Sequence, residues 1–194
     1  MTDKREEYIS WSGYFLGLAA VASFRSKDPS TQNGACIIDP NSLNVLSLGY
    51  NGFPRGCSDY EFPWGREGEH SETKYPYVEH AERNAIYNAV RNGTKLDGAV
   101  MYLYSEKGYY PCEDCARAII QSGIKAVIMG FAIDANTDKW DWGPTLRMFK
   151  AANIELCVMC GCESSPEDHK STVIDFALIA KKMQEVRDKL EGET

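Results

Sequence analysis

Two short segments carry residue types suited to holding a metal ion and moving protons. One is His80-Ala81-Glu82, and the other is Pro111-Cys112-Glu113-Asp114-Cys115. Cys112 and Cys115 are three residues apart, a spacing that puts both sulfurs on one face of a helix and within reach of a single ion. An imidazole from a second helix completes a Cys2His set. Three protein ligands leave one corner of a tetrahedron open, which separates a catalytic zinc site from a closed structural one. Thiols in the first turn of a helix are also favoured as thiolates, because the unpaired N–H groups there stabilise negative charge.

Glu82 follows His80 by two residues in the same first turn, so it can stand beside the ion without binding it. A carboxylate in that position can take a proton from water and hand it on, as general base and then general acid. HxE followed downstream by PCxxC is a known signature of zinc deaminases. A CxxC alone would fit a structural zinc or a redox site equally well. The chemistry that suits the whole set is hydrolysis of an aromatic amidine: water adds at the ring carbon bearing an exocyclic amine, and ammonia leaves. No organic cofactor is needed.

These residues need a frame, and the hydrophobic pattern supplies one. A helix is expected from about Ile9 to Arg25, with Tyr14, Leu18, Val21 and Ala22 at helical spacing. Gly34 to Asp39 and Val45 to Tyr50 read as a hairpin joined through Pro40 and Asn41. Helices follow from about Glu79 to Asn92, Pro111 to Ser122 and Thr145 to Ala152, the first closed by Asn92-Gly93 and the second bracketed by Pro111 and Gly123. Strands are expected at Ala99 to Tyr104, Ala126 to Phe131 and Ile154 to Val158. This alternation predicts a three-layer α/β/α domain on a mixed five-stranded sheet over residues 1–160. Residues 161–194 would be a linker and a C-terminal helical extension, Thr172 to Leu190, with Phe176, Ile179, Ala180, Met183, Val186 and Leu190 on one stripe that packs on its own domain or on another subunit. The stretch from Asn51 to Pro76, rich in Gly, Pro and charge, is too long for a plain connector and reads as a functional loop.

The likeness to a known family extends beyond the metal-type residues. It runs through Ser26-Lys27-Asp28-Pro29 with Gln32, Gly34-Ala35-Cys36-Ile37, Gly49-Tyr50-Asn51-Gly52 with Pro54, and Gly56-Cys57-Ser58-Asp59. It continues through Pro63-Trp64, Thr73-Lys74-Tyr75-Pro76-Tyr77-Val78 and Ile119-Ile120-Gln121-Ser122-Gly123-Ile124-Lys125. In that order, over about Tyr8 to Phe131, the chain resembles the deoxycytidylate (dCMP) deaminases of the cytidine deaminase-like superfamily. The resemblance implies Zn2+ held by His80, Cys112 and Cys115, with Glu82 as the catalytic carboxylate and dUMP as product. It also implies a cytoplasmic homo-oligomer, commonly a hexamer, activated by dCTP with Mg2+ and inhibited by dTTP. Within the pocket it implies that Asn51 meets the sugar and that Tyr77 and Val78 flank the base pocket, with Ala81 also among the substrate-binding residues. Asn51-Gly52 could equally be turn chemistry.

A nucleotide monophosphate also needs cationic donors. Lys27 is the first candidate, with Lys74, Arg25 and Arg55 behind it. One departure from the family is Ser105-Glu106-Lys107-Gly108-Tyr109-Tyr110, several residues longer than the usual turn and expected to alter a pocket wall.

Length and composition set outer limits. The chain has 194 residues, 43% of them hydrophobic, enough for one ordinary domain with a sizeable core. Its formal charge of −7 disfavours a nucleic-acid polymer as partner. The uncharged run Tyr8 to Phe24 copies a signal peptide poorly, being interrupted and too short to span a bilayer. The odd count of 7 cysteines reads as thiols in a reducing compartment. A second, structural zinc on Cys157, Cys160, Cys162 and His169, or a second metal near Cys36, Cys57 and His70, is the alternative to reduced, unliganded side chains.

Overall fold

Ser10 opens the first helix by accepting a hydrogen bond from Gly13 N–H at 3.1 Å. In this computed structural model, which describes residues 8–105, 107–131 and 141–159, the elements follow the expected order. They are α1 (Trp11–Ser23), β1 (Asn33–Ile38), β2 (Val45–Tyr50), α2 (Ala81–Arg91), β3 (Val100–Ser105), α3 (Glu113–Gln121), β4 (Ala126–Phe131), α4 (Gly143–Ala151) and β5 (Glu155–Met159). The expected Thr172 to Leu190 helix lies outside the described residues.

The sheet order is β2-β1-β3-β4-β5. β1 is antiparallel to both β2 and β3, whereas β3, β4 and β5 are mutually parallel. The two parallel connections each carry a helix, as a parallel crossover requires. Helix α1 covers one face of the sheet, burying Phe15, Leu16, Ala19 and Ala20 on Cys36, Ile38, Tyr102 and Tyr104. The other face is covered by Ala85, Ile86 and Ala89 of α2, Ala116 and Ile119 of α3 and Phe149 of α4, packed on Ile37, Met101, Leu103, Val127 and Met129. The result is the expected three-layer α/β/α domain.

Of the four α1 residues at helical spacing, Leu18 packs against the buried cluster, but the stripe as a whole is not the buried one. Tyr14 and Val21 are exposed at 41% and 40%, and the buried stripe runs through Phe15, Leu16, Ala19 and Ser23 instead. With no charged side chain between Tyr8 and Phe24, nothing in the sequence marks the wet side. The buried stripe is selected by small residues: a Cβ on Gly34 of β1 would lie 1.8 Å from the Ala19 carbonyl oxygen, so helix and strand touch backbone to backbone. Gly49 gives α2 the same close approach to β2, 2.3 Å from Ala85 N.

Strand β2 is an edge, but its free carbonyls are not bare. Asn84 and Asn88 of α2 donate their side-chain amides to the Tyr50 and Leu48 carbonyls, each at 2.8 Å. Four residues of helix advance about 6 Å and two residues of strand slightly more, so one pair of asparagines matches two successive outward carbonyls.

Candidate active site

Both metal-type segments stand where a helix begins. His80 is the N-cap of α2 and Cys112 the N-cap of α3, each in extended conformation, and neither side chain caps its own helix. Cys112 therefore precedes the helix; it and Cys115 share a face as cap and first-turn residue. Both side chains are left free for other work, and the unpaired N–H groups of two helix starts surround them. The position of His80 is fixed by a two-way bridge between Gly52 and Glu79, with N···O distances of 3.0 and 2.9 Å. Pro111 is held by the buried Thr145 hydroxyl, which donates to its carbonyl at 2.9 Å. Arg83 ties the two helices together, pairing with Glu79 at 2.5 Å and with Asp114 at 3.5 Å.

The three ligand atoms meet. His80 Nδ1 lies 3.5 Å from Cys112 Sγ and 3.5 Å from Cys115 Sγ, and all three atoms are within 4.8 Å of one another. Zinc bonds of about 2.3 Å to sulfur and about 2.0 Å to nitrogen at a tetrahedral angle place S and N about 3.6 Å apart. The set fits zinc. Cys115 is buried while His80 is exposed, so the cluster has one dry side and one open side. Among the described residues this is the one such group: Cys36 is buried under α1, Cys57 and His70 lie in the loop after β2, and the three do not converge. Cys157 is exposed on β5, and its suggested partners Cys160, Cys162 and His169 lie outside the described residues.

The three side chains perturb one another strongly. The hydrogen bond from Cys115, with help from His80, lowers the Cys112 thiol to about 3, while Cys115 keeps its proton well above the ordinary thiol value. His80 is raised to about 9, chiefly by its bond to Cys112. The buried carboxyl of Glu82 is pushed up by desolvation, partly offset by the charge of His80. Glu82 is thus next to the cluster and outside the ligand set.

His80, Glu82 and Cys112 line a cleft of about 290 Å3, near the lower end of the ~300–1,000 Å3 usual for small-molecule sites. Asn51, Lys74, Val78 and Ala81 line it. Lys27 and Tyr77 do not. Lys27 pairs with Asp59 at the surface, and the Tyr77 hydroxyl donates to the Ser71 carbonyl at 2.9 Å while its ring packs on Phe62. A motif gives the order of residues but not the direction of side chains in an irregular loop. Arg66 and Tyr75, which sequence reasoning missed, also face the cleft. The long turn before Cys112 does shape a wall: Tyr109 and Tyr110 stand against Trp142, with ring centroids 6.3 and 5.5 Å away.

Asn51 is no simple turn residue. Its Oδ1 accepts from Asn33 N–H at 2.8 Å, and its Nδ2 donates to the Thr31 carbonyl at 2.9 Å and to Asp28 Oδ2 at 3.4 Å. Both amide hydrogens are used, so what remains for a ligand is one acceptor lone pair on Oδ1.

Known proteins resemble this chain in sequence and in fold. The family model described as the cytidine and deoxycytidylate deaminase zinc-binding region matches residues 9–131. Human deoxycytidylate deaminase is 48% identical over 153 residues, covering 78% of this chain and 80% of the human one. The deoxycytidylate deaminase of Enterobacteria phage T4 is 35% identical over 161 residues, 65% of this chain and 80% of the phage one. In fold, the chain is similar to the crystal structure of dCMP deaminase from the cyanophage S-TIM5 in complex with dCMP and dUMP. That likeness has a TM-score of 0.57 and 23% identity over 75% of this chain and 94% of the other. Fold, metal-type cluster and sequence agree, and the chain belongs to the cytidine and deoxycytidylate deaminase family.

Proposed function

We propose that the chain is a zinc-dependent deaminase converting dCMP and water to dUMP and ammonia. The observation that carries this reading is the buried Glu82 carboxylate beside the half-open His80–Cys112–Cys115 cluster, with Glu82, His80 and Cys112 lining a cleft of about 290 Å3. A zinc ion held by those three residues supplies an activated water at neutral pH. Glu82 takes the proton of the attacking water and delivers it to the ring nitrogen beside the amino-bearing carbon. It then carries the water's second proton to the departing amine, and a carbonyl remains. Asn51 holds the sugar by accepting a hydrogen bond from its hydroxyl.

The test is ammonia release from dCMP, CMP, dCTP, deoxycytidine and a cytosine-containing oligonucleotide. Glu82→Gln should keep one zinc per chain and lose about 10²- to 10⁴-fold in kcat. Retained turnover in that variant, or faster turnover of the oligonucleotide than of dCMP, would sink the reading. Activation by dCTP with Mg2+ and inhibition by dTTP belong to the same proposal and are read by adding each to the assay. Self-association does too; Trp11, Tyr14 and Val21 on α1, exposed at 58%, 41% and 40%, support it. Sedimentation of the full chain tests it. A cytoplasmic location is consistent with the described residues, in which no helix is long and apolar enough to cross a membrane.

A further inference from the structure

Besides His80 of the metal-type cluster, two cationic side chains face the cleft, Lys74 and Arg66, and they are not equivalent. The Lys74 ammonium is buried and paired with the buried Asp28 carboxylate, so it brings little net charge to a ligand. Arg66 is exposed, and among the described residues it has no carboxylate within salt-bridge distance. Its Nε donates to the Tyr75 hydroxyl at 3.0 Å, and the guanidinium carbon lies 6.0 Å from the Tyr75 ring centroid. The loop is pinned at its base, where Lys74 N–H donates to the Gly65 carbonyl at 2.9 Å, immediately before Arg66. One edge of the guanidinium is therefore held, and the four N–H groups of its terminal nitrogens remain for a ligand. That is the donor set which grips two oxygens of a phosphate at once.

The charges of the cleft are divided between its walls. The lining carboxylates Glu82, Glu113 and Asp141 belong to α2, α3 and the approach to α4, the elements that carry or support the metal-type cluster. The lining lysine and arginine both belong to the loop between β2 and α2. A ligand with an amine-bearing ring at one end and a phosphate at the other is oriented by that division alone. Of the other candidates, Lys27 pairs with Asp59, Arg55 donates to Asn88 at 2.6 Å, and Arg25 does not line the cleft.

We infer that Arg66, held by Tyr75, is the residue that binds the phosphate of the substrate and so separates a nucleoside monophosphate from its nucleoside. The inference rests on the proposed reading of the cleft as a nucleotide site. It is tested with zinc-loaded full-length protein by measuring kcat and KM for dCMP and deoxycytidine in wild type, Arg66→Ala, Arg66→Lys and Lys27→Ala. Arg66→Ala should raise KM for dCMP by about 10- to 100-fold, with kcat within about threefold, since a charge-assisted contact made throughout the reaction is lost. Its kcat/KM for deoxycytidine should stay within about twofold, which also shows that the variant is folded. Arg66→Lys should fall between, and Lys27→Ala should match wild type. Equal losses for both substrates in Arg66→Ala, or no loss for dCMP, would overturn the assignment while leaving the deaminase reading intact. A wild-type protein that releases ammonia from neither substrate would overturn both.

Discussion

The Asp28 carboxylate and the Lys74 ammonium meet in the wall of the cleft with side chains exposed at only 1% and 6%. Asp28 Oδ1 also accepts from the N–H groups of Ser30 at 2.8 Å and Thr31 at 3.2 Å. Removing one member leaves the other charged and dry. Lys74→Met should therefore cost about 3–5 kcal/mol in urea unfolding, the usual result of breaking a buried pair. A cost below about 1 kcal/mol would show that water reaches Asp28 after all. Because Asp28 also contacts Asn51, the variant should lose affinity for dCMP and deoxycytidine alike, unlike Arg66→Ala.

Zinc uptake should depend steeply on pH. In the metal-free cluster at pH 7, His80 at about 9 and Cys115 above the ordinary thiol value each hold a proton, while Cys112 at about 3 has none. Binding must expel about two protons, so apparent affinity should rise by up to about two decades per pH unit near neutrality. Above pH 9 the slope should ease, as His80 arrives already neutral. Chelator competition between pH 6 and pH 8 measures this, and a flat profile would contradict the paired thiol and thiolate described above.

The glycines at the helix–sheet contact provide a paired test of packing. Gly34→Ala drives a methyl group into the Ala19 carbonyl and should cost about 3 kcal/mol or more, at or beyond the upper end of ordinary overpacking. Gly17→Ala, on α1 with nothing within 4 Å of the added carbon, should stabilise by up to ~1 kcal/mol through helix propensity. Urea midpoints of the two variants should move in opposite directions. Similar midpoints would mean that α1 does not sit on β1 as described.

Thiol reactivity should separate the cysteines. Burial raises Cys36 to about 12, so it should resist alkylation until the domain unfolds, whereas exposed Cys157 should react at once. Peptide mapping after a short iodoacetamide pulse on zinc-loaded protein gives the order, with Cys112 and Cys115 protected by the metal. Early labelling of Cys36 would place it outside the core.

Much of this site was legible in the sequence because its chemistry depends on spacing. HxE and PCxxC name His80, Glu82, Cys112 and Cys115, and the alternation of strand and helix patterns places them at two helix starts. What the sequence concealed depends on direction in space. Lys27 and Arg66 both belong to irregular segments flanking β1 and β2, and no periodicity says that the first turns to Asp59 and the second to the cleft. The face of α1 was hidden for a different reason: a helix apolar all round has no marked solvent side. Its orientation follows from Gly34, whose missing side chain matters only once helix and strand are in contact.

The asparagine pair on α2 has a consequence for how this protein meets its neighbours in a crowded solution. With the Leu48 and Tyr50 carbonyls already occupied by Asn88 and Asn84, a foreign strand arriving at that margin finds no vacant acceptors at those positions. The β2 margin is thereby made a poor template for an added strand, and an addition that extends the ladder has the β5 edge as its other approach.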